Sequence, residues 1–178
     1  YVSYSRGYKA GGFNLVQENG YDPEIVDTFE AGLKSRWLDN RVQMNVAAFY
    51  SDYQDKQDFQ RFPGPGGTNP FQIRNASAAT ISGVEFEFQA QFTEALSIDG
   101  FVGYLNAEFD DFTSIDNQSP IGGGSRQLAG NKLPYSPEWS AQMGLQYDWE
   151  LGELGSLSAR GDYSWKDDQW SNAFNRTA

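Results

Sequence analysis

The chain has 178 residues, with 24 acidic against 13 basic side chains, no cysteine and no histidine. This composition excludes disulfide frameworks, Cys/His zinc sites and Ser-His or Cys-His catalytic pairs, and a formal net charge of −11 argues against a general nucleic-acid binder, whose phosphate contacts need clustered Lys and Arg. Mean hydropathy is −0.63 and no run of about 18 apolar residues is present to make a transmembrane helix, yet neither fact counts against a β-barrel, in which lipid-facing residues are averaged with polar lumen and loops.

Tyr1 to Tyr8 alternates like a strand and has neither the charged nor the apolar region of a signal peptide, so the chain reads as cut from something larger. A long connection, Arg6 to Asp27, precedes the first full lane of alternating apolar residues: Phe29, Ala31, Leu33, Ser35, Trp37. Leu38-Asp39-Asn40-Arg41 has hairpin length and turn chemistry, and leads into Val42, Met44, Val46, Ala48, Tyr50. Ser51 to Ser82 reads as a long loop. Val84, Phe86, Phe88, Ala90, Phe92 form the next lane, joined by the short Thr93-Glu94-Ala95 to Leu96, Ile98, Gly100, Val102, Tyr104. After a loop from Asp110 to Glu138 come Trp139, Ala141, Met143, Leu145, Tyr147, Trp149, a short turn at Leu151 to Ser156, and finally Leu157, Ala159, Gly161, Tyr163, Trp165.

The residues between the lanes are polar: Glu30, Lys34 and Arg36; Arg41, Gln43 and Asn45; Glu85, Glu87, Gln89 and Gln91; Gln142, Gln146 and Asp148. Period-2 alternation over about 9–11 residues, apolar on one face and polar on the other, is how a strand crosses a membrane in a barrel. A soluble two-layer sandwich alternates too, but has no reason to gather Trp37, Phe92 and Trp149 at the short-turn end. Phe29, Tyr50, Tyr104, Trp139, Tyr163 and Trp165 fall at or near the long-loop end, so two aromatic girdles are expected. Short turns then face the periplasm and long loops the outside. The fold class is all-β: an antiparallel transmembrane barrel segment of about 6–7 strands, too few to close a barrel on their own.

Other motifs have plain readings. Asp110, Asp111, Asp116 and Asn117 match no calcium-loop spacing and read as a solvated acidic loop; Glu85 and Glu87 read as lumen-lining carboxylates near Lys34, Arg36 or Arg160 rather than a general acid/base pair. Gly64 to Gly67 and Gly122 to Gly124 do not open helices as phosphate-cradling loops do, and Asn175-Arg176-Thr177 is a chance glycosylation pattern. No metal, cofactor or catalytic residue is expected.

Tyr8-Lys9-Ala10-Gly11-Gly12-Phe13-Asn14, Pro23-Glu24 and Phe29 to Ser35 resemble the C-terminal barrel region of TonB-dependent outer-membrane receptors. Ala48 to Gln57, Gly83-Val84-Glu85-Phe86-Glu87 and Gly130-Asn131-Lys132-Leu133-Pro134-Tyr135-Ser136-Pro137 continue the resemblance in the family's order, across residues 1–178. The resemblance implies a 22-stranded barrel in the bacterial outer membrane, with an N-terminal plug and a final aromatic-ended strand outside this chain, importing a ferric siderophore on energy from TonB, ExbB and ExbD. Haem, cobalamin or glycan as cargo, or a passive structural barrel, are the alternatives. Ligand contacts are expected where strands rise into the long loops: Tyr53, Gln57, Phe59, Arg61, Arg74, Asn75 and Arg126, since Arg offers a forked donor to carboxylates and catecholates and aromatic faces suit flat rings.

Overall fold

The structure, a computed structural model, describes residues 1–14, 19–61, 66, 71–116, 118 and 124–176, apart from the side chains of Gln60, Arg61 and Ala76. Ten strands occur among the described residues: β1 (Val2–Lys9), β2 (Gly12–Asn14), β3 (Asn19–Tyr21), β4 (Glu24–Trp37), β5 (Val42–Arg61), β6 (Phe71–Gln91), β7 (Leu96–Ile115), β8 (Ser125–Gln127), β9 (Trp139–Glu150) and β10 (Ser156–Lys166). One eight-stranded antiparallel sheet runs in the order β1-β4-β5-β6-β7-β9-β10, with β8 added beside the far end of β7; β2 and β3 make a separate small hairpin. β4 to β7 pair in sequence order and so do β9 and β10, as expected where a meander runs back and forth, while β1 pairs with β4 and β7 with β9 across the intervening short strands.

The six lanes lie on strands, except that Phe92 falls one residue past the end of β6, and register aligns them into rows. Leu33 pairs with Val46, Val46 with Phe86, Phe86 with Val102 and Val102 with Ala141; the next row is Ser35, Met44, Phe88, Gly100, Met143. These apolar rows are left open: Leu33 is 66% exposed and Met143 49%. Among the described residues no second layer packs on them. In water each large side chain so displayed would forgo about 1.5–3 kcal/mol of burial.

Three turns sit at one end. Leu38, Asp39 and Asn40 all have positive φ (53°, 54° and 67°), and Arg41 N–H closes the turn on Leu38 O at 3.1 Å. Asp and Asn tolerate that conformation; Leu pays about 1–2 kcal/mol. Arg41 then ties this turn to the next, donating from Nε to Gln91 O at 3.1 Å and from Nη2 to Phe92 O. Thr93 Oγ1 accepts Leu96 N–H at 2.9 Å, and Gly152 and Gly155 supply positive φ in the third turn.

At the other end the strands outrun the lanes. Of the segment expected as a loop from Ser51 to Ser82, residues through Arg61 and from Phe71 are strand, paired from Tyr53 to Phe71 with irregularities around Lys56. β7 likewise continues to Ile115. The ladder continues because backbone pairing needs no side-chain pattern; period-2 hydropathy fades there because neither face meets a uniform apolar medium. The apolar core lies at this end alone, on the polar lanes' side of the sheet: Ala79, Ala107, Phe109, Phe112, Leu128, Leu133 and Ala173, with Tyr53, Ile81, Leu105 and Phe174 against it.

Candidate functional site

The apolar face carries the aromatic residues at its margins. Phe29, Trp37, Tyr50, Phe92, Tyr104, Trp139, Trp149, Tyr163 and Trp165 are all exposed. Tyr104 meets Trp139 at 4.9 Å between ring centroids, and Tyr4 on β1 meets Phe29 at 5.0 Å. Just beyond Phe29 toward the long connections, Asp27 takes a forked contact from Arg6 (Nε and Nη2, both 2.7 Å) and a hydrogen bond from Tyr4 OH at 2.7 Å. The Arg6 hydrogen bonds, then that of Tyr4, hold the Asp27 carboxyl down to about 2.

On the opposite face, amides and carboxylates line a shallow concavity of about 200 Å³ that includes Gln43, Asn45, Glu87, Gln89, Asp99 and Gln142. Asn45 Nδ2 donates to Glu87 at 3.2 Å, Tyr1 OH donates to Glu30, and Lys34 Nζ sits 5.7 Å from the Tyr1 ring centre. Arg160 pairs with Asp99 and Asp162 rather than with Glu85 or Glu87. No ion pair joins Glu85 or Glu87 to Lys34 or Arg36 among the described residues.

At the mouth, the rise of β5 and β6 is fastened to the first long connection. Gln57 is buried, and its Nε2 donates to Ala10 O at 2.9 Å and Asp22 O at 3.1 Å, with Lys9 O at 3.5 Å; its backbone N–H donates to Glu24 Oε2 at 2.6 Å. Asn75 exchanges two bonds with the Asp22 backbone (2.7 and 2.8 Å) and donates to Asp55 O. Asn14 does the same with Ile73, donating at 2.7 Å and accepting at 3.0 Å. Tyr53 OH donates to Glu24 at 3.0 Å; burial and that carboxylate both push the phenol upward. Thus Tyr53, Gln57 and Asn75 come together, with most of their polar atoms facing backbone. Phe59 is exposed and stacks on Phe71 at 5.5 Å, Arg74 is half-buried opposite Asp58, and Arg126 lies apart on β8, 3.6 Å from Asp116. The Arg61 side chain lies outside the described residues.

The residues missed from sequence are Glu24, Asp22 and Asn14. Their signal was the family-like spelling Gly12-Phe13-Asn14 and Pro23-Glu24, which carries no periodicity. Behind them, Asn175 Nδ2 donates to Lys132 O at 2.9 Å and Oδ1 accepts Lys132 N–H at 2.6 Å, while Asn131 donates to Ala173 O at 2.9 Å. The acidic residues of this end take separate partners. Asp110 accepts from Thr80, Asp111 from Gln127 and Asp116 from Arg176; Asn117 lies outside the described residues. No cluster of three or more metal-ligating side chains occurs among the described residues.

A family model described as TonB dependent receptor-like, beta-barrel, matches residues 1–178. The chain belongs to the TonB-dependent receptor family. Among relatives of this TonB-dependent receptor chain is the metal-pseudopaline receptor of Pseudomonas aeruginosa, 30% identical over 128 residues, 72% of this chain and 16% of that protein. The pesticin receptor of Yersinia enterocolitica is 27% identical over 146 residues, 79% of this chain and 19% of the relative. The fold is shared with the ferric yersiniabactin uptake receptor of Yersinia pestis (TM-score 0.74, 20% identity, 98% of this chain and 24% of that one) and a siderophore receptor of Acinetobacter baumannii (TM-score 0.71, 20% identity, 98% and 24%). This chain therefore spans less than a fifth of the length of the curated relatives it matches. Members of the family are outer-membrane proteins.

Proposed function

We propose that residues 1–178 form one arc of a 22-stranded outer-membrane barrel that imports a ferric siderophore. In this reading a plug and a final strand lie outside the chain, and TonB, ExbB and ExbD energise transport through the plug. The observation that carries it is the two-faced wall: exposed apolar rows on one side, amides and ion pairs on the other. Lipid covers the first face between the two sets of aromatics and the lumen lies behind the second. Short turns face the periplasm and the mouth faces outward. The siderophore receptors among the structural neighbours, and a metal-chelate receptor among the relatives, support a metal–chelator cargo.

Ligand contact is assigned to Tyr53, Gln57, Phe59, Arg61, Arg74, Asn75 and Arg126. Among the described side chains of this set, Phe59 and Arg126 are the exposed ones, suited to an aromatic face and a carboxylate or catecholate oxygen. Gln57 and Asn75 act from below by holding the first connection in place.

The test has three arms. Reading the coding DNA upstream should reveal a signal peptide and a plug-sized domain in frame; a stop codon there would leave a passive barrel. In an iron-limited strain lacking the receptor, the complete gene should restore uptake of radiolabelled iron from one siderophore. Restoration that survives loss of TonB would refute energised import. Protease added to intact cells should cut within residues 63–68 or 115–125 and spare Asp39-Asn40; the reverse pattern would invert the orientation.

A further inference from the structure

We propose that a depression in the apolar face, floored by Ser35 and Met44, holds one acyl chain of a glycerophospholipid from the leaflet on the short-turn side. The proposal rests on the membrane reading above. Its volume is about 460 Å³. Leu33, Val46 and Phe86 form its upper wall, and Trp37 and Leu38 its lower rim.

Three local features make the depression. Ser35 is the small residue of its lane, between Leu33 and Trp37, and it pairs across to Met44. Its hydroxyl donates to Met44 O at 3.1 Å, so the one hydroxyl of the lining is already satisfied. The same row continues through Phe88 to Gly100. A Cβ on Gly100 would run into the Phe88 ring, which therefore lies over the glycine on the side of β7 and leaves Met44 uncovered. Phe88 is accordingly absent from the lining, whereas Phe86, stacked on it at 6.0 Å, is part of it. Below Trp37, Leu38 in its left-handed conformation (φ 53°) extends the rim beyond the last strand residue.

The occupant follows from the surroundings. The depression opens on the face that lies in lipid, its lining is almost wholly apolar, and Trp37 beside the turn marks the level where an indole meets headgroups. A flat sheet from a second copy would bridge over the hollow, and an empty hollow would leave its lining without contact atoms on one side. A flexible chain of methylenes enters it with no polar group to desolvate.

The test uses the receptor expressed from its complete reading frame, extracted in mild detergent, repeatedly exchanged into fresh detergent and weighed by native mass spectrometry. The wild type should keep one phospholipid. Ser35→Phe, which fills the hollow, and Gly100→Ala, which drives Phe88 back over Met44, should each keep severalfold less. Ala159→Phe, on β10 of the same face and far from the lining, should keep as much as the wild type. Equal retention by the wild type and both hollow variants would overturn the proposal, as would a wild type that keeps none, or a dimer lost with Ser35→Phe. A receptor that stays monomeric in plain buffer without detergent would instead refute the membrane reading, and that outcome is seen before any lipid is counted.

Discussion

Arg160 lies flat across Gly144 to reach Asp99, two strands away. Asp99 and Asp162 both pair in register with Gly144. The guanidinium bridges them, with Nη1 and Nη2 at 2.8 and 3.1 Å from Asp99 and Nη2 at 2.6 Å from Asp162. A Cβ on residue 144 would occupy the space of the guanidinium. The bridge clamps β7, β9 and β10 from the polar face.

Gly144→Ala should therefore break the bridge from a position that carries no charge. For a solvent-accessible pair, Gly144→Ala and Arg160→Gln should each lower stability slightly and by similar amounts, and the double variant little more than either alone. Urea unfolding of the full receptor in micelles gives all three values. Simple additivity would show that the glycine and the bridge are independent.

Charge placed on the two faces should have unequal effects. Met143→Arg or Phe88→Arg puts a guanidinium into the apolar rows and should cost about 2–4 kcal/mol and impair assembly, whereas Gln142→Arg or Gln89→Arg should be milder. Heat-modifiable mobility on gels reads assembly. Equal damage from both sets would invalidate the face assignment.

The link between β1 and β4 should weaken in acid. Asp27 is held at about 2 against an ordinary 3.8 by Arg6 and then Tyr4, so the folded state binds fewer protons than the unfolded one in that window. Its contribution is complete above about pH 4 and lost as pH falls toward 2. Protection factors of β1 amides should fall across that interval in the wild type. In Arg6→Gln they should already be low at neutral pH and flat below it. A flat wild-type profile would mean the arginine does not hold the carboxylate.

At the mouth, Asn175 imitates a strand partner, giving and taking one hydrogen bond with the Lys132 backbone from a left-handed residue (φ 51°). Asn175→Ala strands both Lys132 groups and adds backbone strain, for about 2 kcal/mol of local stability. Asn175→Gly loses the bonds but not the conformation and should cost about 1 kcal/mol less. Hydrogen exchange at residues 131–133 separates the two. Equal exchange in both variants would show that φ at 175 carries no strain.

The wall was legible in the sequence because the membrane imposes a period-2 code on one face. Leu33 to Trp37 and Trp139 to Trp149 fall where that code puts them, and the Asp39-Asn40 turn where its chemistry does. Legibility failed at the mouth, where neither face meets one uniform medium. Asp52 to Arg61 carries no code, and its strand character comes from pairing with β6. Gln57 and Asn75 were visible as polar residues on a rise, but their partners are backbone carbonyls of Ala10 and Asp22, which no side-chain pattern announces. The Arg160 bridge was half legible. Arginine in a polar lane promised a carboxylate, yet the choice of Asp99 depends on Gly144 leaving room.

The exposed aromatics cut diagonally across the rows. The row through Trp37 runs to Val42, Ala90, Ile98 and Leu145, but on β9 the tryptophan of that end is Trp149, four residues further down. The upper margin descends the same way: Phe29 is level with Tyr50, Ser82 and Asn106, whereas β7 offers Tyr104 and β10 offers Trp165, level with Ala141. Four residues at about 3.3 Å, over four strand spacings of about 4.8 Å, incline the strands to the bilayer normal by about 35°. That is the lean at which a transmembrane sheet of this kind closes on itself, about 35–45°. The diagonal of aromatic residues thus follows the stagger that the strand register of this arc already carries.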